Sequence, residues 1–304
     1  MTNSLFPQLN FFFVGAPKCG TTSIAYVLSQ HPNIFLSNPK EPHFFEKDID
    51  RGIKSLETYR ALFSKSKKHH TVIGEASTGY LFSEIAIPTI IENYPEAKYL
   101  VVIRNPYEMA ISLHNQAIRS NYEDEVDFNI AWKLQEKRKH NRELPKSCPS
   151  NRLLLYKERC SLGDQIERLY RLAAAKNICV TFLDDLKLDP DGFFKIIYRF
   201  LQIPENHVAK YPKLNKRTHL RWPFVNMAII SIGNFKRSIG IVRSLGIANK
   251  INQVAFTKGI QHPEITADVR KEMDQAFCQQ IKIIEDLTGR DLSHWYYFRT
   301  KTNA

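Results

Sequence analysis

Phe11-Phe12-Phe13-Val14-Gly15-Ala16-Pro17-Lys18-Cys19-Gly20-Thr21-Thr22-Ser23 is the stretch that decides the fold. Its opening apolar run reads as a buried strand, and the glycine- and proline-bearing residues after it as a tight loop. Thr21 to Gln30 then carries Ile24, Val27 and Leu28 at helical spacing, until His31-Pro32 stops the helix. Strand, glycine loop and helix together make an anion site. Backbone N–H groups turn inward and the helix N-terminus adds partial positive charge. Gly15 and Gly20 have P-loop spacing. A triphosphate loop next requires Lys-Ser/Thr directly after the second glycine, to reach the β/γ-phosphates and Mg²⁺. Here Thr21-Thr22 follow, and the lysine stands inside the loop as Lys18. The loop therefore reads as a phosphate cradle without the parts for Mg-dependent triphosphate chemistry.

Outward from this stretch, further strands read at Thr71–Glu75, Tyr99–Ile103 and Ile178–Leu183. Helical patterns cover 83–94, 107–119 and 163–174. Buried strands alternating with helices predict an α/β fold, a P-loop-type parallel sheet flanked by helices. Ligands of such sheets bind beyond the carboxyl ends of the strands. The loop 15–20, Glu75 and Arg104 all stand at that edge, and Arg104 takes the place of a Walker-B aspartate. A long helix is expected over Glu264–Leu287, followed by the aromatic cluster Trp295-Tyr296-Tyr297-Phe298.

The chain has 304 residues, 43% hydrophobic and 24% charged, which excludes collagen-like, disordered and disulfide-scaffold classes. We expect one domain over 1–304. The net charge of +12 calls for anionic partners. It is concentrated: between Glu205 and Glu264 there are ten lysines and arginines and no acid. That segment, about 206–263, is expected to form a basic helical lid. No apolar run reaches the roughly 18 residues of a membrane span. The start lacks the pattern of a signal peptide. The five cysteines have no zinc-ligand spacing, so the reading is a reduced, cytoplasmic protein without a metal site.

Gly15-Ala16-Pro17-Lys18-Cys19-Gly20-Thr21-Thr22-Ser23 resembles the 5′-phosphosulfate loop of the sulfotransferases that use 3′-phosphoadenosine 5′-phosphosulfate (PAPS). Tyr99 to Pro106, with Ser112 eight residues beyond Arg104, resembles the 3′-phosphate motif of that family. Leu287-Thr288-Gly289-Arg290-Asp291-Leu292-Ser293-His294-Trp295 resembles its carboxyl-terminal ending. Lys40-Glu41-Pro42-His43-Phe44-Phe45 and Glu75-Ala76-Ser77-Thr78 are closer to the carbohydrate-sulfating and bacterial branches than to those acting on phenols and steroids. Arg159-Cys160-Ser161-Leu162-Gly163 departs from the family, lacking the Gly-x-Tyr often found after that arginine.

The resemblance implies a sulfuryl transfer from PAPS, which leaves as adenosine 3′,5′-bisphosphate. The donor is anionic at two ends and needs two anion sites. Ala16, Pro17, Lys18, Cys19, Gly20, Thr21, Thr22 and Ser23 form one; Arg104 and Ser112 form the other, with Lys216 and Arg217 closing from the lid. Arginine suits phosphate because its planar fork donates in pairs. Catalysis rests on positioning and charge, as in phosphoryl transfer. Lys18 is the candidate partner for the oxygen leaving toward the 5′-phosphate. The acceptor must lose a proton, and the resemblance implies Glu75 as the base, with His43 as the alternative. Lys40 is a candidate for binding the sulfonate or the acceptor. Cys19, at a helix N-terminus, stands where a thiol pKa can be lowered.

Other readings stand beside this one. A nucleotide or nucleoside kinase shares the fold but not the placement of the lysine. A basic nucleic-acid-binding module would use 206–263, which carries no recognisable reading motif. Peripheral membrane contact by the same segment is compatible with a sulfotransferase. A saccharide acceptor is favoured by the resemblance, with a small natural product next; the sequence gives no oligomeric state.

Overall fold

The structure, a computed structural model, describes residues 6–49, 51–205 and 264–296, with the backbone of two short strands between them. In chain order the elements begin with β1 (Phe11–Gly15), α1 (Thr21–Leu28), β2 (Ile34–Leu36), α2 (Leu56–Ala61), β3 (Val72–Ala76) and α3 (Ala86–Asn93). β4 (Lys98–Ile103), α4 (Pro106–Arg119), α5 (Phe128–Lys133), α6 (Gln135–Lys139) and α7 (Tyr156–Arg159) follow. Then come α8 (Leu162–Leu172), β5 (Ile178–Phe182), α9 (Leu183–Leu188) and α10 (Pro190–Leu201). The short strands β6 (Thr218–Leu220) and β7 (Phe256–Lys258) pair antiparallel, and α11 (Ala267–Thr288) closes the order.

β1 to β5 form one parallel sheet in the order β2-β3-β1-β4-β5. The α/β class expected from the sequence is therefore the one observed. Phe11, Phe12, Phe13 and Val14 are wholly buried, as residues of a central strand covered on both faces must be. The chain leaves β1 toward β2 and β3 on one side, then returns to lay β4 and β5 on the other. That reversal opens a crevice beyond the carboxyl ends of β1 and β4, where such sheets bind ligands. The loop 15–20 and Arg104 stand at those two ends.

Three-residue β2 and the pair α9–α10 were not read from the sequence. The helix expected from 83 starts at Ala86, because the Ser83 hydroxyl accepts the N–H of Ala86 at 3.0 Å and holds a turn there. The long helix expected over 264–287 is α11. Apart from the backbone of β6 and β7, the basic segment 206–263 lies outside the described residues, and Lys216 and Arg217 with it. Among the described residues no helix is long and apolar enough to cross a membrane.

The chain groups into two compact units, one of Met1–Ala110, Lys157–Pro212 and Arg270–Ala304, the other of Ile111–Tyr156 and Lys213–Val269. The sheet belongs to the first. The second has a buried ion pair: Arg138 donates to both oxygens of Glu123 at 2.5 and 2.6 Å, and the Tyr156 hydroxyl adds a third bond at 2.7 Å. Removing one partner of such a pair costs about 3–5 kcal/mol, because the other charge is left buried and unpaired.

In the first unit, the segment after α11 is fastened to the sheet edge. Gly289 turns it with φ 66°, a left-handed value that glycine adopts without strain. The buried Trp295 donates its indole N–H to Asp184 at 3.0 Å, and its carbonyl accepts from the Asn105 side chain at 3.2 Å. Asn105 also accepts the Tyr107 N–H at 3.0 Å, so one side chain caps α4 and ties the turn after β4 to residue 295.

Candidate active site

The glycine loop is built on β1. Ala16 donates its N–H to Val102 of β4 at 2.8 Å, which fixes the loop over the crevice. Gly20 has φ 75°, a left-handed value that glycine adopts without strain, and a Cβ there would press on Leu183 Cδ1 at 2.9 Å. Lys18 has φ 67°, a left-handed backbone that costs a non-glycine residue about 1–3 kcal/mol and clusters at binding sites. Gly20 gives α1 no side-chain cap, so its first N–H groups stay available to an anion. Thr21 is buried, Ser23 half-buried and Thr22 exposed; Ala16 is buried and Pro17 half-buried.

Cys19 stands where a helix N-terminus can lower a thiol pKa, but packing is the role favoured for it, and the structure agrees with packing. It is wholly buried, with its thiol directed to the Pro17 carbonyl at 3.5 Å. Burial pushes the thiol up to about 12, against the opposing charges of Arg104 and Lys18. At neutral pH it is a packed thiol rather than a reactive thiolate.

Arg104 leaves β4 and turns back onto the loop. Its Nη1 donates to the Lys18 carbonyl at 3.1 Å, and Nη2 pairs with Glu108. Its Nε is buried and makes no hydrogen bond. A buried guanidinium N–H without an acceptor fits an anion at this place. Ser112 lies half-buried on α4, in the part of that helix belonging to the second unit.

A second cluster gathers at the carboxyl end of β3. Glu75 is wholly buried, and its oxygens accept from Ser77 at 2.6 Å, Tyr59 at 2.6 Å and Tyr80 at 2.9 Å. Burial raises its pKa, against those three hydrogen bonds and the charge of His43. A carboxyl enclosed in this way presents no oxygen to solvent.

Glu41 is open to solvent. Its side chain is 36% exposed, and it accepts from Lys40 at 2.5 Å and from Thr78 at 3.0 Å. His43 Nε2 lies 3.5 Å from Glu41, and His43 Nδ1 lies 2.7 Å from Glu46. Arg51 donates to Glu46 at 2.8 Å behind them. Burial alone would raise the Glu41 carboxyl, but His43 and Lys40 hold it well below the usual carboxylate range. Burial alone would lower His43; Glu41 and Glu46 overcome that and raise it.

The sequence reading passed over Glu41. Its signal was present, a carboxylate directly after Lys40 and two residues before His43. Its exposure comes from a left-handed backbone, φ 61°, that no glycine announces.

The His43 shift sets a pH dependence. A histidine with a raised folded pKa contributes stability in full below its unfolded value, 6.5, and loses it as pH rises through the folded value. The thermal midpoint of the wild type should therefore fall over that window relative to His43→Gln. Parallel melting curves from pH 5 to 9 check this, and identical slopes would show that His43 carries no such linkage.

The chain matches the sulfotransferase domain over residues 9–282. Human heparan sulfate glucosamine 3-O-sulfotransferase 5 is 24% identical over 280 residues, covering 92% of this chain and 72% of its own length. The membrane-associated sulfotransferase kil1 of Dictyostelium discoideum is 30% identical over 134 residues, 42% of this chain and only 27% of kil1. The match thus spans about a quarter of the length of that relative. A sulfotransferase structure from Alicyclobacillus acidocaldarius superposes with a TM-score of 0.70 at 23% identity, covering 95% of this chain and 99% of that one, which shows the shared fold. With the family's domain running through β1, the phosphate loop, Arg104 and most of α11, this chain belongs to the sulfotransferase family.

Proposed function

We propose that this protein transfers a sulfuryl group from PAPS to a hydroxyl or amine of a saccharide acceptor. The observation that carries the reading is the contact of Arg104 with the loop. One hydrogen bond from Arg104 to the Lys18 carbonyl joins the two candidate anion sites. The loop amides and Lys18 would hold the 5′-phosphosulfate, and Arg104 the 3′-phosphate. The kinase and nucleic-acid readings have no support from the family match. Relatives named for heparan sulfate support a saccharide over a small natural product.

PAPS, when bound, supplies the activated sulfuryl group. The chain's residues supply charge and proton acceptance. Lys18 stabilises negative charge on the oxygen that departs with the 5′-phosphate. Glu41 takes the acceptor's proton, in place of Glu75, because it is the exposed carboxylate of the cluster. Its pairing with His43 and Lys40 keeps it ionised but weakly basic. An anionic donor drawing on the Lys40 ammonium raises that basicity when it is needed. His43, between Glu41 and Glu46, orients the carboxylate.

The donor assignment is tested by thermal shift. Adenosine 3′,5′-bisphosphate should stabilise the protein, since a ligand that binds only the native state raises its stability. AMP should do much less, because it offers Arg104 no 3′-phosphate. Equal shifts would remove the case for a 3′-phosphate site.

A further inference from the structure

Glu75 is left without a chemical task once Glu41 takes the proton, yet its surroundings are elaborate. Three hydroxyls donate to it, and each also engages a different residue of one loop. Ser77 Oγ donates to Glu75 at 2.6 Å and accepts the His43 N–H at 3.0 Å. Tyr80 Oη donates to Glu75 at 2.9 Å and accepts the Phe45 N–H at 3.3 Å. Tyr59 Oη donates at 2.6 Å, and its ring stacks on Phe44 with centroids 4.2 Å apart and planes 12° from parallel. Three consecutive loop residues, His43, Phe44 and Phe45, are thus gripped through one carboxyl group.

We propose that Glu75 is a positioning residue, the buried anchor that holds loop 41–45 so that Glu41 and His43 face the acceptor. The inference rests on the reading of Glu41 as the base.

The chemistry of the groups explains why a carboxylate is used. A hydroxyl has one proton and two lone pairs. At Ser77 and Tyr80 the proton that points at Glu75 leaves lone pairs turned toward the loop amides. Burial disfavours the charged carboxylate, but the three hydroxyl donors and the charge of His43 favour it, and in that form it only accepts and sets the direction of all three hydroxyls at once. A glutamine at the same place must donate through its amide, and it reverses at least one of them. The loop needs such a grip because Glu41 and His43 both hold left-handed backbone, φ 61° and 50°. Residues in that region persist only where their surroundings over-determine them. Glu75, Ser77, Tyr59 and Tyr80 are all buried, so water does not compete for these bonds.

Residue-resolved amide hydrogen exchange on the full chain with adenosine 3′,5′-bisphosphate tests this directly. Glu75→Gln should speed exchange at both His43 and Phe45 by about tenfold or more, since local opening sets protection. Ser77→Ala should act mainly at His43, and Tyr80→Phe mainly at Phe45. These milder variants keep the question answerable if Glu75→Gln fails to fold. In turnover, Glu75→Gln should raise the acceptor KM and lower kcat without moving the acid limb of the pH–rate profile. Wild-type protection at both amides in a slow Glu75→Gln enzyme would overturn the proposal and return Glu75 to a chemical role. The exchange readout needs no activity. A wild type that transfers no sulfuryl group would reject the proposed function, and the anchor would still be judged by the amides.

Discussion

Lys18→Ala should lower kcat for sulfuryl transfer by two or more orders of magnitude, about the loss that follows removal of a single transition-state donor. Lys18 sits inside the loop, and charge builds beside it as the phosphosulfate bond breaks. The loss should fall mainly on kcat. Affinity for the bisphosphate product should fall as well, because the same ammonium meets the ground-state anion. Backbone and charge can be separated at this position. Lys18 holds φ 67°, which alanine tolerates no better than lysine, whereas glycine adopts it freely. Lys18→Gly should therefore melt at or above the temperature of Lys18→Ala while losing as much activity. A Lys18→Gly enzyme with near-normal kcat would show that the loop amides alone stabilise the leaving group.

The second large effect is expected at Glu41. Glu41→Gln keeps shape and most hydrogen bonding but removes the base, and turnover should fall by roughly 10²–10⁴-fold. Binding of the bisphosphate product should change little. Glu75→Gln, acting through loop geometry, should cost less. The reverse order, a mild Glu41→Gln and a dead Glu75→Gln, would place the base at Glu75 after all. If both are mild and His43→Ala is dead, the imidazole takes the proton. Three mild variants would point to an amine acceptor that enters already deprotonated.

The glycine loop and Arg104, the proposed donor half of the site, are legible as a candidate because their physics is local. A glycine loop between a strand and a helix binds anions wherever it occurs, and the displaced lysine is visible in the order of residues 15–23. Arg104 follows from a strand that ends in a charge. The acceptor half was less legible because burial is not local. Glu75 looks like a strand-end carboxylate until Tyr59, sixteen residues earlier, folds over it. Glu41 looks like the neighbour of a lysine until a left-handed turn exposes it. Cys19 shows the same limit: its place before a helix argues for a low pKa, and enclosure by the fold reverses the sign. β2 escaped notice because three residues are too few to show a period.

The tether between Asn105 and Trp295 joins residues 190 positions apart in the chain. On a ribosome, which makes the chain from its amino end, the phosphate loop and Arg104 emerge long before the residue that secures their neighbour. The turn after β4 stays without this tether until position 295 has been translated and has cleared the exit tunnel. Fixing of the turn after β4 is thereby coupled to completion of α11 and the motif after it. A chain interrupted upstream carries the glycine loop and Arg104 but lacks the tie that fixes the turn beside Arg104.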